Sequence, residues 1–427
     1  MKAKHIEVIE VRIWGRTAGA LAFAPEKNCY AFEYEKSFAA SGIEISPLEM
    51  PLSATEIYAF PNLPEDTYKR LPATIADSLP DDFGNALIDA WMADKGISKS
   101  EITTLDRLGY MNRRGMGALE FKPPRGEEKS RPTAIKLSEL TEAAKKALTG
   151  RLSMESEELS KSAIAQMIQV GSSAGGARAK AVIAWNKETG EIRAGQFDTA
   201  PGFEHWLLKF DGTGKASNAT QNYGRIEYAY SLMAKAAGIE MTECRLEKEG
   251  GRAHFMTRRF DRDGNGKLHV QTLCAMAQLD YKKTRTHSYS ELFLTMKELK
   301  LDKKQFKEAF RRMAFNVMAG NCDDHPKNFA FLLPEGGKWR LAPAYDMTHS
   351  KDPKSKWTSA QFMSVNGKFN DIGKADLLEQ AERAEVPDAK EELEKVSNAV
   401  ARWKEFAQAG EVPASSLKKV GKDLNPL

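Results

Sequence analysis

At 427 residues the chain is too long for one ordinary core and predicts two or three packed units. Its 41% hydrophobic and 29% charged residues are those of a soluble globular protein, and a formal charge of +4, from 63 basic and 59 acidic residues, argues against a protein that wraps polyanions. Cys29, Cys244, Cys274 and Cys322 lie far apart with no CxxC pair, which argues against a disulfide framework or zinc cluster and fits a reducing cytoplasm.

The first residues, Met1-Lys-Ala-Lys-His-Ile-Glu-Val-Ile-Glu-Val11, alternate apolar and charged side chains and read as a strand rather than a signal peptide. No stretch approaches the roughly 18 apolar residues of a membrane span, so a soluble, cytoplasmic protein with no membrane partner is expected. Residues 6 to 34 read as three strands (Ile6–Trp14, Gly19–Phe23, Cys29–Tyr34) separated by turn residues such as Pro25-Glu-Lys-Asn28. Phe83–Met92 has helical spacing, with Asp81 and Asp82 as capping candidates. Lys122–Pro132 is polar and carries prolines, a candidate linker, and a helix follows over about 138–148.

Beyond Gly171 the pattern becomes mixed. Ala181-Val-Ile-Ala-Trp, a Lys187-Glu-Thr-Gly190 turn and Glu191-Ile-Arg-Ala predict a hairpin, and His205–Phe210 a third strand. A helix over about 221–237 carries Ile226, Tyr230, Met233 and Ala237 on one face. Strands follow at about 243–248 and 253–260, then helix throughout 288–320, then short strands around Asn328 and Arg340, then a helical tail after Ala375. Sheet first and helix afterwards predicts an α+β fold of two lobes rather than a βαβ repeat. The expected divisions are 1–125, a small β-sheet with helices; 126–265, a second sheet; and 266–427, a helical lobe.

Four segments carry the parts that phosphoryl transfer needs, in the order a protein kinase has them. Gly171-Ser-Ser-Ala-Gly-Gly-Ala-Arg-Ala-Lys180 combines small residues, which let backbone N–H groups approach phosphate, with two cations. Taken alone it fits a flexible turn equally well, and it is not a Walker A loop. Lys209, between apolar neighbours on a strand, requires an anionic partner unless it snorkels to water at a sheet edge. Phosphate and Glu227 of the next helix are the candidates. Asn321-Cys-Asp-Asp-His-Pro-Lys-Asn328 places Asp323 five residues before Asn328, the spacing of a catalytic loop, between an apolar helix and an apolar strand. Leu341-Ala-Pro-Ala-Tyr-Asp346 ends a strand expected to pair with the one after Asn328, so Asp346 can share a hard cation such as Mg²⁺ with that asparagine. His325 has no second histidine nearby and reads as a structural hydrogen-bonding residue. Asp261–Gly266 opens like an EF-hand but has Thr272 at the twelfth position, and reads as a tight turn. Gly212–Ser217 lacks the glycine spacing of a P-loop.

Taken together these segments resemble the HipA family, bacterial serine/threonine kinases that act as toxins in type II toxin–antitoxin pairs. Leu21-Ala-Phe, Tyr30-Ala-Phe-Glu-Tyr, Ile45-Ser-Pro and Met50-Pro-Leu resemble its N-terminal region, as do Ala76–Gly84 and Gly115-Met-Gly-Ala-Leu-Glu-Phe121. Arg259-Phe-Asp-Arg262 and Asp323–Asn328 resemble its kinase core. The resemblance implies ATP and Mg²⁺ as cofactors, Asp323 as catalytic base, and Asn328 and Asp346 as metal ligands. ATP contacts would come from Gly175, Gly176, Ala177, Arg178, Ala179 and Lys180 of the phosphate loop, from Lys209 paired with Glu227, and from Arg258, Arg259 and Phe260 of the hinge. His325, Pro326, Lys327 and Tyr345 would line the same site. Ser173, or adjacent Ser172, matches a serine whose autophosphorylation silences family members, through charge placed beside the ATP phosphates. A small HipB-like helix-turn-helix antitoxin is the implied partner, with DNA reached mainly through it and an aminoacyl-tRNA synthetase as the implied substrate. Two departures stand out: Asp324 where a small residue is expected, able to alter metal or substrate handling, and Arg258 where glutamate is common. A small-molecule phosphotransferase and a catalytically silent scaffold are the alternative readings.

Overall fold

A computed structural model of the chain describes residues 5–94, 96–125, 136–149, 179–195, 198–212 and 222–427. Two compact units emerge. The first is drawn from Met1–Gln221, Glu247–Val270 and Pro334–Gly336, the second from Asn222–Leu246, Gln271–Leu333 and Gly337–Leu427.

In the first unit β1 (Val8–Ile13), β2 (Arg16–Ala24), β3 (Cys29–Tyr34), β4 (Ile57–Ala59) and β5 (Leu119–Lys122) form an antiparallel sheet in the order β4-β3-β2-β1-β5. Ile9, Val11 and Ile13 of β1 are fully buried while Glu10 and Arg12 between them are not, the alternation that marked this strand in the sequence. Strand β5 was not expected, its four residues being too few to show a period. Helix α1 (Asp82–Asp94) starts as expected at Asp81, whose Oδ1 accepts from the Gly84 amide at 2.7 Å. Helix α2 spans Leu137–Thr149.

A second sheet holds β6 (Lys180–Asn186), β7 (Ile192–Ala194), β8 (Phe203–Lys209), β9 (Cys244–Glu249) and β10 (Arg252–Arg258), in the order β7-β6-β8-β10-β9. Its core sets Trp185 edge-to-face on Trp206, centroids 5.4 Å apart, and buries Phe83 and Leu87 of α1 with Leu140 and Ala144 of α2. The EF-hand-like stretch is the expected turn, a hairpin of Arg262–Asp263 with Gly266–Lys267.

A buried ion cluster joins Gly115-Met-Gly117 to Arg259-Phe-Asp-Arg262. Asp261, fully buried, accepts from Arg259 Nε at 2.8 Å and a terminal nitrogen of Arg259 at 2.7 Å, from Arg262 at 2.6 Å, and from the Gly117 amide at 2.7 Å. Both arginines also donate to the Gly115 carbonyl, at 3.3 and 3.2 Å. Gly117 has φ +76, and a Cβ there would sit 2.8 Å from the Val270 amide nitrogen, so Gly115-Met-Gly fits this contact and a bulkier residue at 117 does not. Burial alone would raise the Asp261 carboxyl, but the two guanidiniums outweigh it and hold it well below the usual range.

In the second unit α3 (Tyr223–Ala236) buries Ile226, Tyr230 and Met233, and Ala237 just past its end, the face read from the sequence. The single helix expected over 288–320 is two helices, α4 (Tyr289–Glu298) and α5 (Lys303–Met318). Lys300 takes a left-handed φ of +57, and Asp302 restarts the helix by accepting from the Gln305 amide at 3.0 Å. Strands β11 (Ala330–Leu333) and β12 (Arg340–Leu341) pair antiparallel with Phe331 opposite Leu341, as expected. The tail is helical as predicted: α6 (Lys374–Arg383), α7 (Ala389–Ala401) and α8 (Trp403–Ala409). Among the described residues no helix is long and apolar enough to cross a membrane.

Replacing Asp261 with Ala strands two buried guanidiniums and should cost about 3–5 kcal/mol of stability in denaturant unfolding. A loss under about 1 kcal/mol would show that the cluster does not hold the first unit together.

Candidate active site

Helix α5 ends at Met318, and Gly320 turns the chain with φ +63 into the loop Asn321–Asn328. The loop closes in one tight turn, Pro326–Asn328, with the Asn328 amide donating to the His325 carbonyl at 2.8 Å. Asp323 is held by its main chain at both ends. Its N–H donates to Ser350 Oγ at 2.9 Å, and its carbonyl accepts from Asn328 Nδ2 at 2.6 Å. The carboxylate itself is half exposed, with His325 Nε2 3.9 Å away. A fixed backbone with a free carboxylate is the arrangement a proton acceptor needs. The bond through Nδ2 also settles the sense of the Asn328 amide, leaving Oδ1 as the atom available to a cation.

Asp346 does not end a strand as expected. Strand β12 stops at Leu341, ahead of Pro343, and Asp346 lies in the loop beyond with a left-handed φ of +53. Aspartate is among the few residues that tolerate that conformation, and such backbone is concentrated at functional sites. Tyr345 OH donates to the Lys327 carbonyl at 2.6 Å, tying the Asp346 loop to the Asp323 loop. His325 feels the charges of both Asp323 and Asp346, but burial outweighs them and keeps its imidazole below the usual value.

His325 was expected to hydrogen-bond. Instead its Nδ1 is buried with no hydrogen-bond partner, and the ring packs between Tyr281 (centroids 5.6 Å) and Phe362 (5.7 Å). Lys327 Nζ lies over the Tyr281 ring at 4.8 Å. Asp323, His325, Lys327, Asn328, Tyr345 and Asp346 are thus brought together, with Pro326 buried beneath.

These residues fit a nucleotide–magnesium pair. Mg²⁺ takes one or two protein oxygens and completes its shell with water and phosphate, and Asn328 Oδ1 with the Asp346 carboxylate supplies such a set. Among the described residues no cluster of three His, Cys, Asp or Glu side chains forms a closed metal cage. The orphaned Nδ1 of His325 is a polar atom still without a partner.

Apart from Glu227, the remaining expected residues lie in the first unit or outside the described residues. Lys209 ends β8, buried, with Nζ 5.8 Å from the Phe255 ring centroid, and Glu227 lies buried on α3 of the second unit. Lys180 stands beside Lys209 across the strands, but its ammonium lies 3.4 Å from the buried Asp81 carboxylate. That pairing commits its charge to the fold rather than to phosphate. The Arg259 side chain is likewise paired with Asp261, and its N–H donates to the His205 carbonyl at 2.9 Å. Arg258 is exposed and near Glu204, and Phe260 is half-buried. Ala179 is buried; Ser172, Ser173, Gly175, Gly176, Ala177 and Arg178 fall outside the described residues, as does most of Gly212–Ser217.

Asp324 faces away from the metal candidates. It is buried, with Oδ2 accepting from Tyr289 OH at 2.6 Å and Oδ1 from the Phe362 amide at 2.7 Å. Its side chain is therefore engaged by partners in the core. Burial pushes its carboxyl up to about 7. Below pH 4 folded and unfolded chains are both protonated at this residue and its full stabilisation is present. As pH rises through 7 the unfolded chain releases the proton first, and about 4 kcal/mol is lost. The stability advantage of the natural protein over Asp324→Asn should therefore shrink between pH 4 and pH 8; a constant gap would contradict the burial of an ionisable group here.

Residues 9–122 match the family described as HipA N-terminal domain, and residues 172–404 the HipA-like C-terminal domain. Two curated relatives are named "Putative kinase", from Haemophilus influenzae, and "Putative kinase Y4dM", from Sinorhizobium fredii. They are 27% and 23% identical over 28% and 42% of this chain. The chain spans only 39% and 46% of their lengths. Among solved structures, a Shewanella oneidensis toxin–antitoxin complex of HipA, HipB and operator DNA contains a chain that matches with a TM-score of 0.70 at 18% identity. That match covers 97% of this chain and 95% of that one, a likeness of fold. With both family domains matched along its length, this chain belongs to the HipA family.

Proposed function

We propose that the protein is an ATP- and Mg²⁺-dependent kinase that phosphorylates a protein serine. The observation that carries this reading is the pairing of Asp323, anchored by its main chain, with Asn328, whose amide is locked onto the Asp323 carbonyl at 2.6 Å. The Asp323 carboxylate accepts the proton of the acceptor hydroxyl as its oxygen bonds to the γ-phosphorus and the bridging P–O bond to ADP breaks. Mg²⁺, when bound, neutralises charge on the phosphates. Asn328 Oδ1 and Asp346 would hold it from the protein side, and the Tyr345 bond to Lys327 fixes the two loops that present them. Lys209 is the first unit's candidate phosphate contact.

Membership of the HipA family supports a toxin role, restrained by a small HipB-like antitoxin through which DNA is reached. An aminoacyl-tRNA synthetase is the substrate class the sequence resemblance suggests. Phosphorylation of Ser173 or Ser172 would place nearly two negative charges in the phosphate loop and shut the enzyme off.

Incubation with ATP and Mg²⁺ followed by phosphosite mapping should find phosphate on Ser172 or Ser173, with Asp346→Asn lowering the yield at least tenfold. Unchanged labelling in EDTA or in Asp346→Asn would contradict the metal assignment. Transfer to small molecules but to no protein serine would favour an antibiotic-type phosphotransferase.

A further inference from the structure

Asp323 and Asp324 are the two ends of a closed ring of hydrogen bonds. Tyr289, first residue of α4, donates from OH to Asp324 Oδ2 at 2.6 Å. Its oxygen accepts from Asn316 Nδ2 of α5 at 3.0 Å. Asn316 Oδ1 accepts from Asn321 Nδ2 at 2.9 Å. Asn321 Oδ1 accepts from Ser350 Oγ at 3.2 Å, and Ser350 Oγ accepts from the Asp323 N–H at 2.9 Å. Asp324, Tyr289, Asn316 and Asn321 are all buried.

The ring has one direction. The Asp323 N–H can only donate, so a lone pair of Ser350 Oγ faces it and the Ser350 hydroxyl is left to donate to Asn321 Oδ1. That orients the Asn321 amide, which orients Asn316, whose Nδ2 donates to the Tyr289 oxygen while Tyr289 OH donates to Asp324. Each bond polarises the next in a low-dielectric setting. Asp324 is the acceptor on which the run ends. The second carboxylate oxygen, bonded to the Phe362 amide, fastens the same ring to the segment that follows Asp346.

We propose that Asp324, Tyr289, Asn316, Asn321 and Ser350 act as positioning residues that aim Asp323 for phosphoryl transfer. The inference rests on Asp323 being the base, as proposed above. Because the Asp323 carboxylate is half exposed, its aim is set by its backbone, and the ring fixes the N–H side of that backbone. A small residue at 324 would leave the Tyr289 hydroxyl and the Phe362 amide without this acceptor.

Amide hydrogen exchange at Asp323 and initial rates of phosphoryl transfer from radiolabelled ATP with Mg²⁺ test the ring in the full chain. Tyr289→Phe and Ser350→Ala should speed exchange at least tenfold and lower the rate at saturating ATP about tenfold to a hundredfold. KM for ATP should stay within about twofold, because no ring member touches nucleotide. Ser350→Thr keeps the hydroxyl and should restore both readouts. Unchanged exchange and rate in Tyr289→Phe and Ser350→Ala would overturn the proposal, as would equal loss in Ser350→Thr and Ser350→Ala. If Tyr289→Phe fails to fold, the Ser350 pair decides alone. A natural protein that transfers no phosphate defeats the kinase reading instead, and exchange then decides the ring by itself.

Discussion

A reactive carboxylate must be open to its substrate yet point in one direction, and this constraint organises the second unit. The chain meets it by fixing Asp323 through its main chain: Ser350 on the N–H, Asn328 on the carbonyl. Everything nearby follows from these two bonds. Helix α5 and the turn at Gly320 deliver the loop, Tyr345 ties in the loop of Asp346, and aromatic rings rather than hydrogen bonds hold His325.

The first unit adds buried charge to its apolar packing: Asp261 gathers two arginines and the Gly115–Gly117 loop, and Lys180 meets Asp81 at the start of α1. Removing one partner of such a pair is strongly penalised. Lys180 and the Arg259 side chain, expected at the nucleotide, thus have carboxylate partners within the fold.

Strands with clean alternation, such as β1, and helices with one apolar face, such as α3, were legible in the sequence because their signal is local. The break between α4 and α5 was not: Lys300 at positive φ has no strong residue preference, and the apolar spacing continues across it. That Asp323 and Asn328 share one loop was readable from spacing within a short segment, whereas Asp346 lies in a loop where a strand end was expected. Tyr289, Asn316 and Ser350 were not readable, since they come from three distant segments and each is an ordinary polar residue on its own. The only hint was Asp324 itself, a carboxylate where a small residue was expected, and its buried place in the core required the fold to be seen. Glycines 115 and 117 and the Arg259–Arg262 motif were recognisable as a pattern, but their reason, a shared buried aspartate, is tertiary.

The central claim is that Asp323 is the proton acceptor of an ATP-dependent phosphoryl transfer. Asp323→Asn keeps the size and the main-chain bonds of the residue and removes only its basicity. Single-turnover transfer from ATP with Mg²⁺, measured beside nucleotide affinity, should fall at least a hundredfold in this variant while affinity holds within about threefold. Transfer at the natural rate in Asp323→Asn would contradict the account.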